Sequence, residues 1–204
     1  MDQYSEAEVR EALEPYHRRI RAIIKGGLDE WLSVAECRSS KGFAPPLYQR
    51  TVSNYIFDAV ARNARTVFGE DPSVRVLDEA QTVKFCFSNV VIGRFKKGDD
   101  DHLGQNIRTQ AVLDFICVEP NLPGLPPEAA KVEFTWSLDE LGVMLDSVTV
   151  VARDGDHILW SYEISDAEES GGAVVLFPTP PDEPDDEEPL VRPKIAPRRD
   201  IEGE

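Results

Sequence analysis

The sequence predicts an α+β fold, with N-terminal helices packed on a mostly antiparallel sheet and a disordered acidic C-terminal tail. Apolar residues recur at three- and four-residue steps through the first third of the chain, the period of amphipathic helices. From Val74 the pattern changes to alternation with a period of two, the mark of half-buried strands. The alternating strand–helix repeats of a parallel doubly wound fold do not occur. Three divisions follow: a helical segment at 1–46, an α+β core at 47–177, and the tail at 178–204.

Ser5 and Glu8 have capping-box spacing, which starts a helix near residue 6. Val9, Leu13, Tyr16, Ile20 and Ile23 form its apolar stripe. Pro15 interrupts the stripe, either kinking the helix or sitting in the first turn of a second one. Gly26-Gly27 reads as the stop, and 28–36, with Trp31 and Leu32, as a short helix packing back. Residues 39–46 (SSKGFAPP) read as a loop. A long helix is predicted over 47–68, with Tyr48, Val52, Tyr55, Ile56, Ala59, Val60, Val67 and Phe68 on its apolar face.

Residues 82–88 alternate, Val83, Phe85 and Phe87 on one face and Lys84, Cys86 and Ser88 on the other. Ser88-Asn89 turns the chain into a strand over 90–96. Residues 98–104 read as loop and 106–117 as a helix, while PNLPGLPP at 120–127 excludes regular structure. In 131–138 the expected inward set is Val132, Phe134, Trp136 and Leu138, leaving Lys131, Glu133, Thr135 and Ser137 to solvent. The turn Asp154-Gly155 joins strands at 147–153 and 157–164 in the clearest hairpin signal of the chain. Residues 174–177 suggest an edge strand. Trp31, Trp136 and Trp160 read as core, the last two on apolar sides of neighbouring strands.

The net charge of −16 over 204 residues bears on partners. Such a surface disfavours direct nucleic-acid binding and docking on anionic membranes, and favours fast encounter with a basic protein. No apolar run is long enough for a bilayer span, and the N-terminus lacks a secretory signal pattern. Cys37, Cys86 and Cys117 form no CxxC pair and suit a reducing cytoplasm. The tail holds seven prolines and nine acids against four bases. Its acids Asp182, Glu183, Asp185, Asp186, Glu187 and Glu188 precede an apolar-basic island of Leu190, Val191, Arg192, Lys194 and Ile195. That grammar suits a segment that orders on a partner.

Catalytic signatures are weak, so the sequence favours a non-enzyme. His17, His102 and His157 stand apart with no second histidine at ligand spacing, and Asp99-Asp100-Asp101-His102 has no EF-hand spacing; no metal or cofactor is expected. Cys86 near Lys84 reads as packing under a helix rather than as a nucleophile. Asp114, Lys131 and Glu133 approximate a nuclease set only loosely, Glu133 reading as a solvent-side neighbour of Lys131. Arg94, Lys96, Lys97 and Arg108 are the candidate anion site, weighed against simple pairing of these bases with residues 99–101.

Arg94-Phe-Lys-Lys97, Asn106-Ile-Arg-Thr-Gln110, Leu122-Pro-Gly-Leu125, Asp154-Gly155 and Ile158-Leu-Trp160 lie within 47–164. Together they resemble a family of uncharacterised bacterial cytosolic proteins associated with toxin–antitoxin and phage-defence operons. The resemblance implies a setting beside helix-turn-helix regulators and metallopeptidase-like proteins, and it brings no catalytic residues. The tail lies outside it. The expected function is therefore a regulatory or neutralising component, antitoxin- or immunity-like, that binds a basic protein such as a toxin or defence effector. The alternative is a small enzyme acting on nucleotides or nucleic acid through Arg94, Lys97 and Arg108.

Overall fold

A computed structural model describes residues 4–79, 82–98, 103–104, 113, 115–116 and 129–165. Helix α1 (Glu6–Leu13) begins at the expected capping box, Ser5 N–H donating to the Glu8 carboxylate at 2.7 Å and Glu8 N–H to the Ser5 hydroxyl at 3.4 Å. Pro15 lies in a single 3₁₀ turn, Glu14–Tyr16, where its missing N–H costs nothing, and α2 (His17–Ser40) follows directly.

Helix α2 does not stop at Gly26-Gly27. It runs on through the segment expected to be a separate short helix. Gly27 is buried against α3 (Gln49–Gly69), where a Cβ would come within 2.5 Å of Val60 Cγ2 and 3.1 Å of the Val60 backbone nitrogen. Its glycine serves a close helix–helix approach. The real stop is Gly42, at φ +75°, with Gly42 N–H donating to Ser39 O and Phe43 N–H to Arg38 O. These two bonds make a Schellman cap. Helix α3 buries Ile56, Ala59, Val60, Ala61, Ala64 and Phe68. Tyr48, expected on its apolar face, is instead exposed just before its first turn.

Among the described residues six strands follow: β1 (Val74–Glu79), β2 (Thr82–Phe87), β3 (Val91–Lys97), β4 (Ala130–Leu138), β5 (Leu145–Asp154) and β6 (His157–Glu163). They lie side by side in sequence order, and every pairing is antiparallel except β3 with β4. The α+β fold with a mostly antiparallel sheet is thus as the sequence predicts. Ser88 (φ 48°) and Asn89 (φ 59°) turn β2 into β3, with Val90 N–H closing onto Phe87 O at 2.9 Å. The β5–β6 hairpin turns at Gly155, φ +60°.

One sheet face carries Val83, Phe85, Phe87, Phe95, Val132, Phe134, Val148 and Val150 against the three helices in one continuous core. Phe68 meets Phe85 and Phe87 edge-on at 5.4 and 5.2 Å, and Phe87 meets Phe134 at 5.7 Å. Gly93 lies beneath the Phe134 ring, the place where a side chain on β3 would collide with it. Trp136 is buried, while Trp31 and Trp160 pack partly buried at the core margin. Trp136 and Trp160 are not on neighbouring strands, since β5 separates them.

The parallel β3–β4 pair demands a crossover, because a parallel strand must re-enter from the far end of the sheet. Among its described residues, Leu113, Phe115 and Ile116 are helical, and the last two pack on Cys86 and Ile92 on the sheet face away from α1–α3. Gly155 N–H donates to Ile116 O at 2.9 Å, tying the hairpin turn to the crossover. The rest of the predicted 106–117 helix, the proline-rich 120–127 stretch, the 174–177 strand and the tail lie outside the described residues.

Candidate functional site

The second sheet face holds the main departure from the sequence reading. Glu133 and Thr135, expected in solvent, are each only 1% exposed, as are Lys84 and Arg94. Alternation places Lys84 on β2, Arg94 on β3, Glu133 on β4 and Arg153 on β5 side by side. Arg94 donates through Nε at 3.0 Å and Nη2 at 2.5 Å to Glu133 Oε1. Arg153 Nε lies 3.3 Å from Glu133 Oε2, an ion pair outside hydrogen-bond alignment. Glu133 is therefore bracketed by two guanidiniums from the strands on either side.

Around this triad the packing is close. Phe115 lies over both cations, its ring centroid 4.2 Å from Arg94 Cζ and 5.1 Å from Lys84 Nζ. Lys84 Nζ donates to Glu79 at 2.6 Å. Gly104, joined to Gly98 by an antiparallel bridge, rests on the carboxylate, where a Cβ would come within 2.6 Å of Glu133 Oε2. Burial pushes the Arg94 guanidinium down from its ordinary value, and the Glu133 charge opposes that shift. Chemically the triad is a cross-link between three strands, with its charges turned on one another.

The described residues of the expected anion site fall in different surroundings. Arg94 is buried and committed to Glu133, and Lys97, three residues on, falls on the opposite side of β3. Lys96 shares the Arg94 side, but its ammonium reaches 5.6 Å from the Phe57 ring of α3, and burial lowers its affinity for the proton. Arg108 and residues 99–101 lie outside the described residues. The strand does not aim Arg94 and Lys97 at one ligand.

Cys86 is enclosed by Ile92, Phe115 and Ile116, a packing position under helical residues as the sequence predicts. Cys37 is exposed. His17, on α2, meets the Tyr162 hydroxyl through Nε2 at 3.0 Å inside the core. Among the described residues, no group of three or more His, Cys, Asp or Glu side chains stands together as a metal set would. Asp114, the third member of the loose nuclease set, lies outside those residues, as do all the tail residues from Asp182 to Ile195.

A surface feature that the sequence reading passed over is the tip joining α2 to α3. Phe43 is 59% exposed, Leu47 86% and Tyr48 57%. Arg38 stacks over Phe43, its Cζ 5.8 Å from the ring centroid, and donates to Ala44 O at 3.0 Å; Arg50 stacks over Tyr48 at 5.0 Å. The available signal was compositional: between Glu36 and Asp58 the chain carries Arg38, Lys41 and Arg50 and no acid.

Comparison with family models, with curated protein sequences and with solved structures finds no match. Among the described residues, no helix is long and apolar enough to cross a membrane.

Proposed function

We propose that this protein is a non-enzymatic binding component, regulatory or neutralising in the manner of an antitoxin or immunity protein, that grips a basic protein partner. One observation carries the reading. The buried charged side chains among the described residues are three cations, Lys84, Arg94 and Arg153, and one anion, Glu133. Folding thus withdraws bases from the surface of a chain that already has 38 acids against 22 bases. Among the described residues this leaves the exposed charge more acidic than their sequence alone gives, and an acidic surface steers basic partners to it.

The tail supplies the second contact. Residues 182–199 would order across a groove or active site of the partner, the acids pairing with its bases and Leu190, Val191 and Ile195 seating in apolar pockets. The resemblance over 47–164 to proteins of toxin–antitoxin and phage-defence operons fits a toxin or defence effector as partner and the cytoplasm as its compartment. Affinity purification of the full chain from its native host, at low salt, identifies the partner. Against that partner, a chain ending at residue 177 is expected to bind at least tenfold more weakly and with a shallower salt dependence. Equal affinity removes the tail from the mechanism, and an acidic partner overturns the reading.

A further inference from the structure

We propose that the α2–α3 tip is a docking surface for the chain's own acidic segment, residues 182–191, which it holds when no partner is bound. The proposal extends the partner reading, since the same acids would serve tip and partner in turn. Its test uses no partner, so the two readings fail separately.

The tip is a built surface. The Schellman cap at Gly42 and the Arg38–Ala44 hydrogen bond give the loop a defined course, and the two arginine–aromatic stacks hold the cations beside the exposed rings. Arg38, Lys41 and Arg50 are all exposed, and they stand in a window without acids. Against this, residues 182–188 offer six acids interrupted only by Pro184, followed by Pro189, Leu190 and Val191. Acids meet bases, and the short apolar pair meets Phe43 and Leu47. Prolines at 178, 180, 181, 184 and 189 fix φ at five positions and so lower the chain entropy lost on docking.

The tether reaches. The end of β6 lies at the start of α2, where the Tyr162 hydroxyl is 3.0 Å from His17 Nε2. At ~1.5 Å per helical residue the tip stands roughly 35 Å away along α2. The chain from Ile164 to Asp182 spans up to ~60 Å when extended. Tethering places the acids near the tip at an effective concentration of order mM. A free polyanion, whether single-stranded nucleic acid or an anionic membrane, must instead approach against the field of the whole molecule.

Exposed Cys37 lies beside Arg38, so a nitroxide on it reports on the tip of the full 204-residue chain, with Cys117→Ser to leave one accessible thiol. At 20 mM NaCl the amide resonances of residues 182–191 are expected to be broadened by the nitroxide, equally at every protein concentration. The broadening should fall at least threefold in 500 mM NaCl, where charges are screened within a few ångströms. It should fall likewise in Arg38→Glu/Lys41→Glu/Arg50→Glu, and return when six lysines replace the six acids in that variant. The salt arm needs no variant, so a misfolded triple mutant does not blunt the test. Absence of broadening overturns the proposal, and so does broadening that grows with concentration, which assigns the tip to a second copy. Saturable binding of a single-stranded oligonucleotide or of phosphatidylserine vesicles at the tip, with the tail unbroadened, overturns it as well.

Discussion

Glu133 has a guanidinium on each side and the Gly104 backbone against its carboxylate, all at the centre of a six-stranded sheet. Removing one member of a buried ionic set leaves the others desolvated without compensation, which costs about 3–5 kcal/mol. Glu133→Gln leaves Arg94 and Arg153 facing one another and is expected to lower stability by that amount in urea titration. The double change Arg94→Met/Glu133→Leu should recover part of the loss, because it removes charges together. Between α3 and β1, Asp71 accepts from the Ser73 hydroxyl and backbone N–H and from Arg19 Nη1 at 2.6 Å. The Ser73 hydroxyl bond, helped by Arg19, holds its carboxyl below the ordinary carboxylate range. The folded state thus binds that proton less readily than the unfolded chain. The stability Asp71 contributes is full above the unfolded carboxylate value and is lost as pH falls through the lower folded one. Asp71→Asn should cost about 1–2 kcal/mol at pH 7, and the gap from the parent protein should close as the solution is acidified, read by thermal melts over a pH series.

Helix α2 shows how an element's length is decided away from its own sequence. Gly26-Gly27 has the local look of a stop, but burial of Gly27 against Val60 and Ile56 of α3 favours continuing the helix. Gly27→Ala raises helix propensity by ~1 kcal/mol, yet it sets a methyl against the α3 backbone, so a net loss of about 1–3 kcal/mol is expected in chemical denaturation. Gly69→Ala is the contrast: a Cβ there meets nothing within 4 Å, and that variant should be neutral or slightly stabilised. If Gly27→Ala also stabilises, the close helix approach is not what keeps the glycine. The strands were more legible than the helix ends. Alternation in Val83, Phe85 and Phe87, and the Asp154-Gly155 turn, report geometry that side chains impose locally, and β2, β5 and β6 follow it. Tyr48 failed for the opposite reason, since the helix starts after it and its period-matched position has no helix beneath it.

For the whole molecule, charge is the governing quantity. With −16 overall and bases drawn inward, the compact state repels itself at low ionic strength. Raising NaCl from about 10 to 200 mM shortens the Debye length to below ~10 Å and should raise Tm by several degrees. A fall in Tm would mean that surface ion pairs such as Arg65–Asp78 outweigh the repulsion. Taken alone, the amino-acid order determined the class of fold, the turns, which residues share a sheet face, and the acidic character of the chain, because each depends on near neighbours or on simple counting. Tertiary structure decided what covers each face. The parallel β3–β4 pairing requires a crossover, and its described residues Gly104, Phe115 and Ile116 lie on the second face. That covering turns Lys84, Arg94, Glu133 and Arg153 from solvated side chains into an interior network, and alternation, which assigns a side but never its contents, cannot report it.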